Sequence, residues 1–246
     1  MPLTLLLGGS LGRMGRATTD RAVASPDEFT IACGIDITYQ GQPTPYPTVQ
    51  AYPQAAAYPA DVLVDFSRPD SLPELLALCL DRRLPAVLCA TGYPEEALAS
   101  IREASARIPI LQSGNMSLGV NVLQGLVRQA ARALGPGFDI EIVETHHNRK
   151  ADAPSGTALM LAEAAREGAQ ATLPPLYGRH GRNAKREPGE IGIHAVRGGT
   201  VVGVHEVGFF GAGEHLTLTH IAEDRALFVN GALAAARFLK GQAPGL

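Results

Sequence analysis

Leu3-Thr4-Leu5-Leu6-Leu7-Gly8-Gly9-Ser10-Leu11-Gly12-Arg13-Met14-Gly15 lies one residue past Pro2. Its first five residues form a short apolar run suited to the inside of a parallel sheet. Glycines follow at once, and a helix-like segment runs on to about Ala24. Strand, glycine turn and helix in that order let backbone amides at a helix N-terminus approach a pyrophosphate. The spacing is Gly-x-x-Gly-x-x-Gly, with Leu11 where many such loops keep a glycine. Alone, it fits a plain tight turn about as well. The next strand strengthens the nucleotide reading: Phe29 to Ile35 ends in Asp36, 21 residues past Gly15. An acid at that offset is placed for the hydroxyls of an adenosine ribose. Gly9, Ser10, Leu11, Gly12, Arg13, Met14 and Asp36 are therefore candidate cofactor contacts.

Downstream, the pattern repeats. Residues 38–60, rich in Pro, Tyr, Gln and Ala, read as an irregular connection covering the sheet. Asp61 to Phe66 is a buried strand, and Ser71 to Arg83 a helix. Strand Ala86 to Ala90, helix Glu95 to Ala106 and strand Ile108 to Gln112 continue the alternation. Repeated βα units predict an α/β fold with a Rossmann-like, doubly wound parallel sheet. Ser113-Gly114-Asn115-Met116-Ser117 then sits at a strand's carboxyl end, where such sheets bind ligands. An amphipathic helix, Leu118 to Leu134, follows and ends at Gly135-Pro136-Gly137.

The chemistry concentrates between Asp139 and Ala158. Asp139 to Glu144 alternates polar and apolar residues, as a half-buried strand does. It runs into a polar segment holding His146, His147, Arg149, Lys150 and Asp152, stopped by Pro154. Ser155-Gly156-Thr157 opens an Ala/Leu-rich helix, with Ser155 as N-cap. A helix N-terminus is a ready anion site, so the cluster suits a small carboxylate-bearing substrate. Of 21 basic residues only Lys150, Lys185 and Lys240 are lysine. A lysine here is notable because its pKa shifts readily and it can release a proton.

Beyond this helix, Pro174 to Glu190 reads as a mobile surface loop. Ile191 to Arg197, Thr200 to Phe209 and His215 to Ile221 alternate and are separated by glycine turns, which reads as antiparallel hairpins. His194, His205, His215 and His220 lie in them. No carboxylate or cysteine cluster accompanies these histidines, so no metal site is expected. Arg225 to Leu239 is a final helix. Apolar residues make up 46% and charged residues 18%, with net charge −3, which describes a globular chain without the basic footprint of a nucleic-acid binder. No apolar run is long enough to cross a bilayer. Cys33, Cys79 and Cys89 lack metal-ligand spacing and suit a reducing cytoplasm.

Glu144-Thr145-His146-His147-Asn148-Arg149-Lys150, with Asp152-Ala153-Pro154-Ser155-Gly156-Thr157-Ala158 after it, resembles the signature of the 4-hydroxy-tetrahydrodipicolinate (dihydrodipicolinate) reductase family. Gly12-Arg13-Met14-Gly15 and Ser67-Arg68-Pro69 are similar to further family motifs. The resemblance implies reduction of 4-hydroxy-tetrahydrodipicolinate with NADH or NADPH, in diaminopimelate and lysine biosynthesis. It implies His146 as proton donor and Lys150 as second acid, with His147, Ser155, Gly156 and Thr157 on the substrate carboxylates. Arg149 stands where some relatives have histidine and receives no catalytic role. Cofactor contacts implied further on are Cys89, Ala90 and Thr91, then Ser113, Gly114, Asn115 and Met116. The family usually has Gly-Thr-Thr-Gly where this chain has Cys89-Ala90-Thr91-Gly92, so the first threonine's hydroxyl is missing. Residues 1–116 with 221–246 are expected to form the dinucleotide domain. Residues 117–220 are expected to form an α+β substrate and oligomerisation domain with a mixed or antiparallel sheet, assembling a homotetramer. Two rivals stand against this. A redox-sensing dinucleotide binder without turnover has no need of the His146–Lys150 set. A Ser/His hydrolase using Ser155 lacks the nucleophile-elbow pattern.

Overall fold

The computed structural model describes residues 1–246. It divides into two units: Met1–Met116 with Phe228–Leu246, and Ser117–Leu227. The chain re-enters the first unit at Phe228, several residues past the expected 221.

The first unit holds a six-stranded parallel sheet ordered β3-β2-β1-β4-β5-β6. The strands are β1 (Leu3–Gly8), β2 (Phe29–Ile35), β3 (Thr48–Val49), β4 (Val62–Asp65), β5 (Ala86–Leu88) and β6 (Ile110–Gln112). Both faces are sealed, which is why these strands read as continuous apolar runs. Leu6, Cys33, Leu63 and Leu88 pack on one side with Leu75, Cys79 and Ile101, residues of helices α2 (Leu72–Arg82) and α3 (Glu95–Ser105). Leu5, Leu7, Val64 and Val87 pack on the other with Ala22 of α1 (Arg13–Val23) and with Val229, Leu233 and Ala236 of α6 (Ala226–Leu239). The connection at 38–60 is not wholly irregular. It contributes edge strand β3 and a 3-10 turn, Tyr52–Ala57, that buries Tyr52.

The second unit is built on a five-stranded sheet ordered β11-β10-β7-β9-β8. These strands are β7 (Asp139–His146), β8 (Pro175–Tyr177), β9 (Ile191–Arg197), β10 (Gly203–Phe210) and β11 (His215–Ala222). Helices α4 (Leu118–Leu134) and α5 (Gly156–Ala169) cover one face, meeting Ile140, Ile142, Ile193, Val207 and Phe209. Two sequence readings are corrected here. First, β9 and β10 do not form a hairpin: β7 lies between them, parallel to β9 and antiparallel to β10. Alternation marks a strand and its buried face but does not name its partner. Second, the stretch 174–190 contains β8, which pairs with β9. It is also tied to the sheet: Glu141 meets Arg179 at 3.0 Å and Arg186 at 2.5 Å, and Arg179 meets Glu190 at 2.6 Å. Ion pairs between distant residues leave no hydrophobic period to read.

The glycine turn shows why its residues are small. Gly9 has φ +69°, and a Cβ there would lie 2.8 Å from the Phe66 carbonyl carbon. A Cβ on Gly15 would run into the Gly9 carbonyl and the Ser10 backbone. Gly15→Ala is therefore expected to separate loop from helix, costing about 1–3 kcal/mol by overpacking and weakening binding of reduced dinucleotide. Urea unfolding and nucleotide fluorescence check this. An unchanged midpoint together with unchanged affinity would refute the packing argument.

Candidate active site

Strand β7 alternates strictly in burial. Ile140, Ile142, Glu144 and His146 share the buried face, while Glu141, Val143 and Thr145 share the other. Glu144 thus continues an apolar row into which a carboxylate does not belong, and it is fully buried, at 0% exposure. Such a charge persists only when its oxygens are filled. Arg197, the last residue of β9, donates to both oxygens at 2.8 and 2.7 Å. The Ser155 amide donates to Oε1 at 3.0 Å, and His146 Nδ1 lies 2.5 Å from Oε2. Burial pushes the Glu144 carboxyl up, but these bonds outweigh it and hold it below its ordinary pKa.

His146 is buried in its turn. Desolvation lowers its pKa, against the pull of Glu144 and with a smaller push from Lys150 and Arg197. The segment after it is pinned at several points. Gly198 N donates to the His146 carbonyl at 2.9 Å, and Asn148 N to the Gly199 carbonyl at 3.2 Å. Arg197 also donates to the Asp152 carbonyl at 2.7 Å. Lys150 Nζ meets Asp152 Oδ1 at 2.9 Å. Ser155 caps α5, its hydroxyl accepting from Ala158 N at 3.2 Å. That hydroxyl also bonds His205 Nε2 at 2.9 Å, and Ser155 is buried. Gly156 and Thr157 form the first turn behind it. His147 Nε2 faces Arg225 at 3.3 Å. Both line a cavity of about 380 Å³ with Arg149, Thr200, Val202, Glu223 and Asp224. The structure so places His146, His147, Lys150 and Ser155 on one short segment, with Arg149 among the cavity walls.

In the first unit, the carboxyl ends of β1, β2, β4, β5 and β6 lie along one edge of the sheet, since all are parallel. The order reverses between β1 and β4, the place where such sheets take ligands. Gly9 N donates to the Ile35 carbonyl at 2.8 Å and Gly12 N to the Gly9 carbonyl at 3.1 Å. Gly12 gives α1 no side-chain cap, and its first turn, with Arg13 and Met14, has no acid. Ser10 is buried, with a hydroxyl lacking any partner. Asp36 accepts from Leu11 N at 2.9 Å through Oδ2, and from Thr38 N and Oγ at 2.9 and 2.7 Å through Oδ1. The loop after β5 carries a half-buried Cys89, a buried Ala90 and an exposed Thr91. Burial raises the Cys89 thiol well above its ordinary value, so it stays protonated. After β6, Ser113 Oγ donates to the Asn115 carbonyl at 2.8 Å across Gly114, and Met116 is buried in the core. An uncapped helix N-terminus, glycine turns and an orphan hydroxyl fit a dinucleotide.

Sequence reading missed several residues. Asp65 ends β4 buried, bonded by Tyr52 Oη at 2.5 Å, and burial raises its pKa. Glu144 closes the alternating run Asp139 to Glu144, and its place in register with Ile140 and Ile142 is the signal of its burial. Arg197, His205 and Arg225 had no local signal. The strand histidines do not converge on a metal: His194 meets Glu141 at 2.8 Å, His220 meets Ser117 at 3.3 Å, and His215 stacks on Phe210. No group of His, Cys, Asp or Glu is arranged to hold a metal ion.

His205 makes a measurable claim. Burial takes its pKa down to about 4, aided by His146, His220 and Lys150 and opposed by Glu144. The folded pKa lies below the unfolded one of about 6.5, so the unfolded chain binds the extra proton. Stability contributed by neutral His205 is present above that value and lost as pH falls toward 4, on the order of 3 kcal/mol in all. His205→Gln is expected to flatten the fall in urea midpoint between these pH values. A variant with the parental acid slope would show that His205 is not held neutral.

Comparison with known proteins agrees along the whole chain. The family model described as "Dihydrodipicolinate reductase, N-terminus" matches residues 3–116, and its C-terminal counterpart matches 119–246. A 4-hydroxy-tetrahydrodipicolinate reductase from Caldanaerobacter subterraneus subsp. tengcongensis is 46% identical over 246 residues, 100% of this chain and 96% of that one. One from Clostridium tetani is 42% identical over 242 residues, covering 98% and 93%. The fold is similar to that of a dipicolinate-bound dihydrodipicolinate reductase from Paenisporosarcina sp. TG-14, at TM-score 0.80 and 23% identity, covering 100% of this chain and 98% of that one.

Proposed function

The chain belongs to the dihydrodipicolinate reductase family, and from that premise we propose how its residues divide the reaction. It is an oxidoreductase that converts 4-hydroxy-tetrahydrodipicolinate to tetrahydrodipicolinate in the diaminopimelate and lysine pathway. Overall, substrate, NAD(P)H and a proton give product, NAD(P)⁺ and water. The first unit holds the dinucleotide, with Gly9 to Met14 and Asp36 at the adenosine half. Cys89, Ala90, Thr91, Ser113, Gly114, Asn115 and Met116 hold the nicotinamide half. Loss of the 4-hydroxyl with a proton from the adjacent ring carbon accounts for the water, and the reduced nicotinamide, when bound, would supply a hydride to the ring carbon left unsaturated.

The electron density left on the substrate runs to its ring nitrogen, and His146 gives the proton that it needs. An imidazole suits this because its unperturbed pKa lies near operating pH. Lys150 acts as second acid. His147, Arg225, Gly156 and Thr157 take the substrate carboxylates. Ser155 serves this anion site as the cap behind it, since its hydroxyl already joins His205 to α5. The observation that carries the reading is His146, its Nδ1 against a buried carboxylate and its chain neighbour His147 lining a cavity with Arg225. His146→Gln or Lys150→Ala is expected to lower kcat by roughly 10²–10⁴ while leaving affinity for reduced dinucleotide unchanged. Loss of nicotinamide absorbance on adding substrate measures it, and parental turnover in both variants would overturn the assignment.

Cofactor choice turns on Asp36. Its carboxylate suits an unphosphorylated ribose, and a phosphate about 4 Å away would cost roughly 4 kcal/mol at an effective dielectric near 20. The bonds from Leu11 and Thr38 spread part of that charge. Arg16 lies close by, its Nε donating to the Leu11 carbonyl at 2.9 Å. NADH is therefore used at least as well as NADPH, the phosphate being tolerated rather than required. kcat/KM with each cofactor decides, and a tenfold or greater preference for NADPH would reverse this conclusion.

Assembly as a homotetramer follows the family likeness. The sheet face of the second unit turned from α4 and α5 exposes Val196, Phe210 and Ile221, at 47%, 44% and 63%, and suits a contact between copies. No helix is long and apolar enough to cross a membrane. Three free cysteines suit a cytoplasmic setting.

A further inference from the structure

A histidine that donates a proton must present a chosen nitrogen, and the other nitrogen's partner makes that choice. His146 Nδ1 is 2.5 Å from Glu144 Oε2. Glu144 is itself held by Arg197 through two bonds at 2.7 and 2.8 Å and by the Ser155 amide at 3.0 Å. On the opposite side of the ring Nε2 lies beside Gly203, where a Cβ would stand 3.1 Å from it, so no side chain of that residue covers the nitrogen. We propose that Glu144 and Arg197 are positioning residues that act through His146, holding its proton on Nδ1 so that Nε2 alone exchanges protons with the substrate. This rests on His146 being the proton donor.

The two residues act on His146 in opposite senses. The carboxylate accepts Nδ1–H and favours the imidazolium, which delivers its Nε2 proton and returns to the Nδ1–H neutral ring. Arg197 draws part of the carboxylate's charge to itself and so keeps that proton labile. The charged and titratable groups around the ring are Glu144 on β7, Arg197 on β9, Lys150 on the following loop and His205 on β10. The last stands edge-on to His146, ring centroids 5.1 Å apart. Burial has already made His205 neutral, so the carboxylate and the guanidinium set the balance. A dianionic ligand raises the pKa of a neighbouring histidine, so His146 charges as such a substrate arrives.

Two-bond proton–nitrogen correlation spectra of the unaltered protein, without substrate, test the hold directly; His146→Gln identifies the signal. Neutral His146 is expected as the Nδ1–H tautomer, the reverse of what free histidine prefers in water. An Nε2–H tautomer would overturn the proposal. The pH profile of kcat/KM tests its consequence. Glu144→Gln is expected to shift the ionisation of His146 to lower pH and to lower kcat by roughly 10- to 100-fold, the usual effect of losing a partner that orients a ring from behind. Arg197→Gln is expected to shift it to higher pH, because the carboxylate's charge then falls wholly on the ring. Shifts of opposite sign are not produced by loosened packing. Lowered rates with both profiles unmoved would reject positioning. Should Glu144→Gln fail to fold, the tautomer of the unaltered protein and the Arg197→Gln profile decide between the outcomes. Parental turnover in His146→Gln would remove the donor assignment instead, while the tautomer still reports whether Glu144 holds the ring.

Discussion

A carboxylate on the apolar face of a central strand is the constraint around which the second unit is arranged. Glu144 follows Ile140 and Ile142 in the same row, and its side chain is wholly out of water. Its donors come from three separate places: β7 itself, the end of β9 and the turn entering α5. Removing one partner from a buried pair costs about 3–5 kcal/mol, because the survivor is left charged and dry. The strand, its neighbour and the helix must therefore all be in place before the carboxylate is tolerated. Folding of this unit and assembly of its site are the same event.

The sheet order makes this geometry reachable. With β7 between β10 and β9, side chains arrive from both flanks: Arg197 from one, His205 from the other. Had β9 and β10 paired as a hairpin, β7 would lie at the margin of that pair and lose one of these flanks. Arg197 also closes on the Asp152 carbonyl. One guanidinium thus ties the buried carboxylate to the loop that carries Lys150.

What could be read in the sequence follows from what each signal encodes. Strands sealed on both faces give unbroken apolar runs, so β1, β4 and β5 were legible, as was the glycine turn before α1. Ser155 was legible as a cap because capping is local. The partners of β9 were not, since strand pairing is decided over long separations. The clasp of Arg179 and Arg186 on Glu141 joins residues 38 and 45 positions apart, and its charges mimicked a solvated loop. Glu144 is the instructive case. Its register with two isoleucines is visible, yet polar–apolar alternation by itself assigns a carboxylate to the solvated face. His146, in the same row, was legible through the motif that it resembles rather than through burial.

The helix N-termini of the two units are finished differently. Helix α1 begins at Gly12 with no side-chain bond to its first turn. Helices α4 and α5 begin at Ser117 and Ser155, whose hydroxyls accept from Val120 N and Ala158 N. Each of those hydroxyls also meets a histidine, His220 at 3.3 Å and His205 at 2.9 Å. The two histidines are cross-strand partners on β11 and β10. An uncapped N-terminus leaves its dipole and amides for a bound phosphate to satisfy. A capped one has one of its first-turn amides filled by the serine hydroxyl and is braced against the sheet through the histidine. In the first unit the turn before α1 is held close by glycines, since Gly9 and Gly15 have no room for a Cβ. In the second unit, Glu144 joins the Ser155 turn at the start of α5 to His146 and to Arg197 of β9.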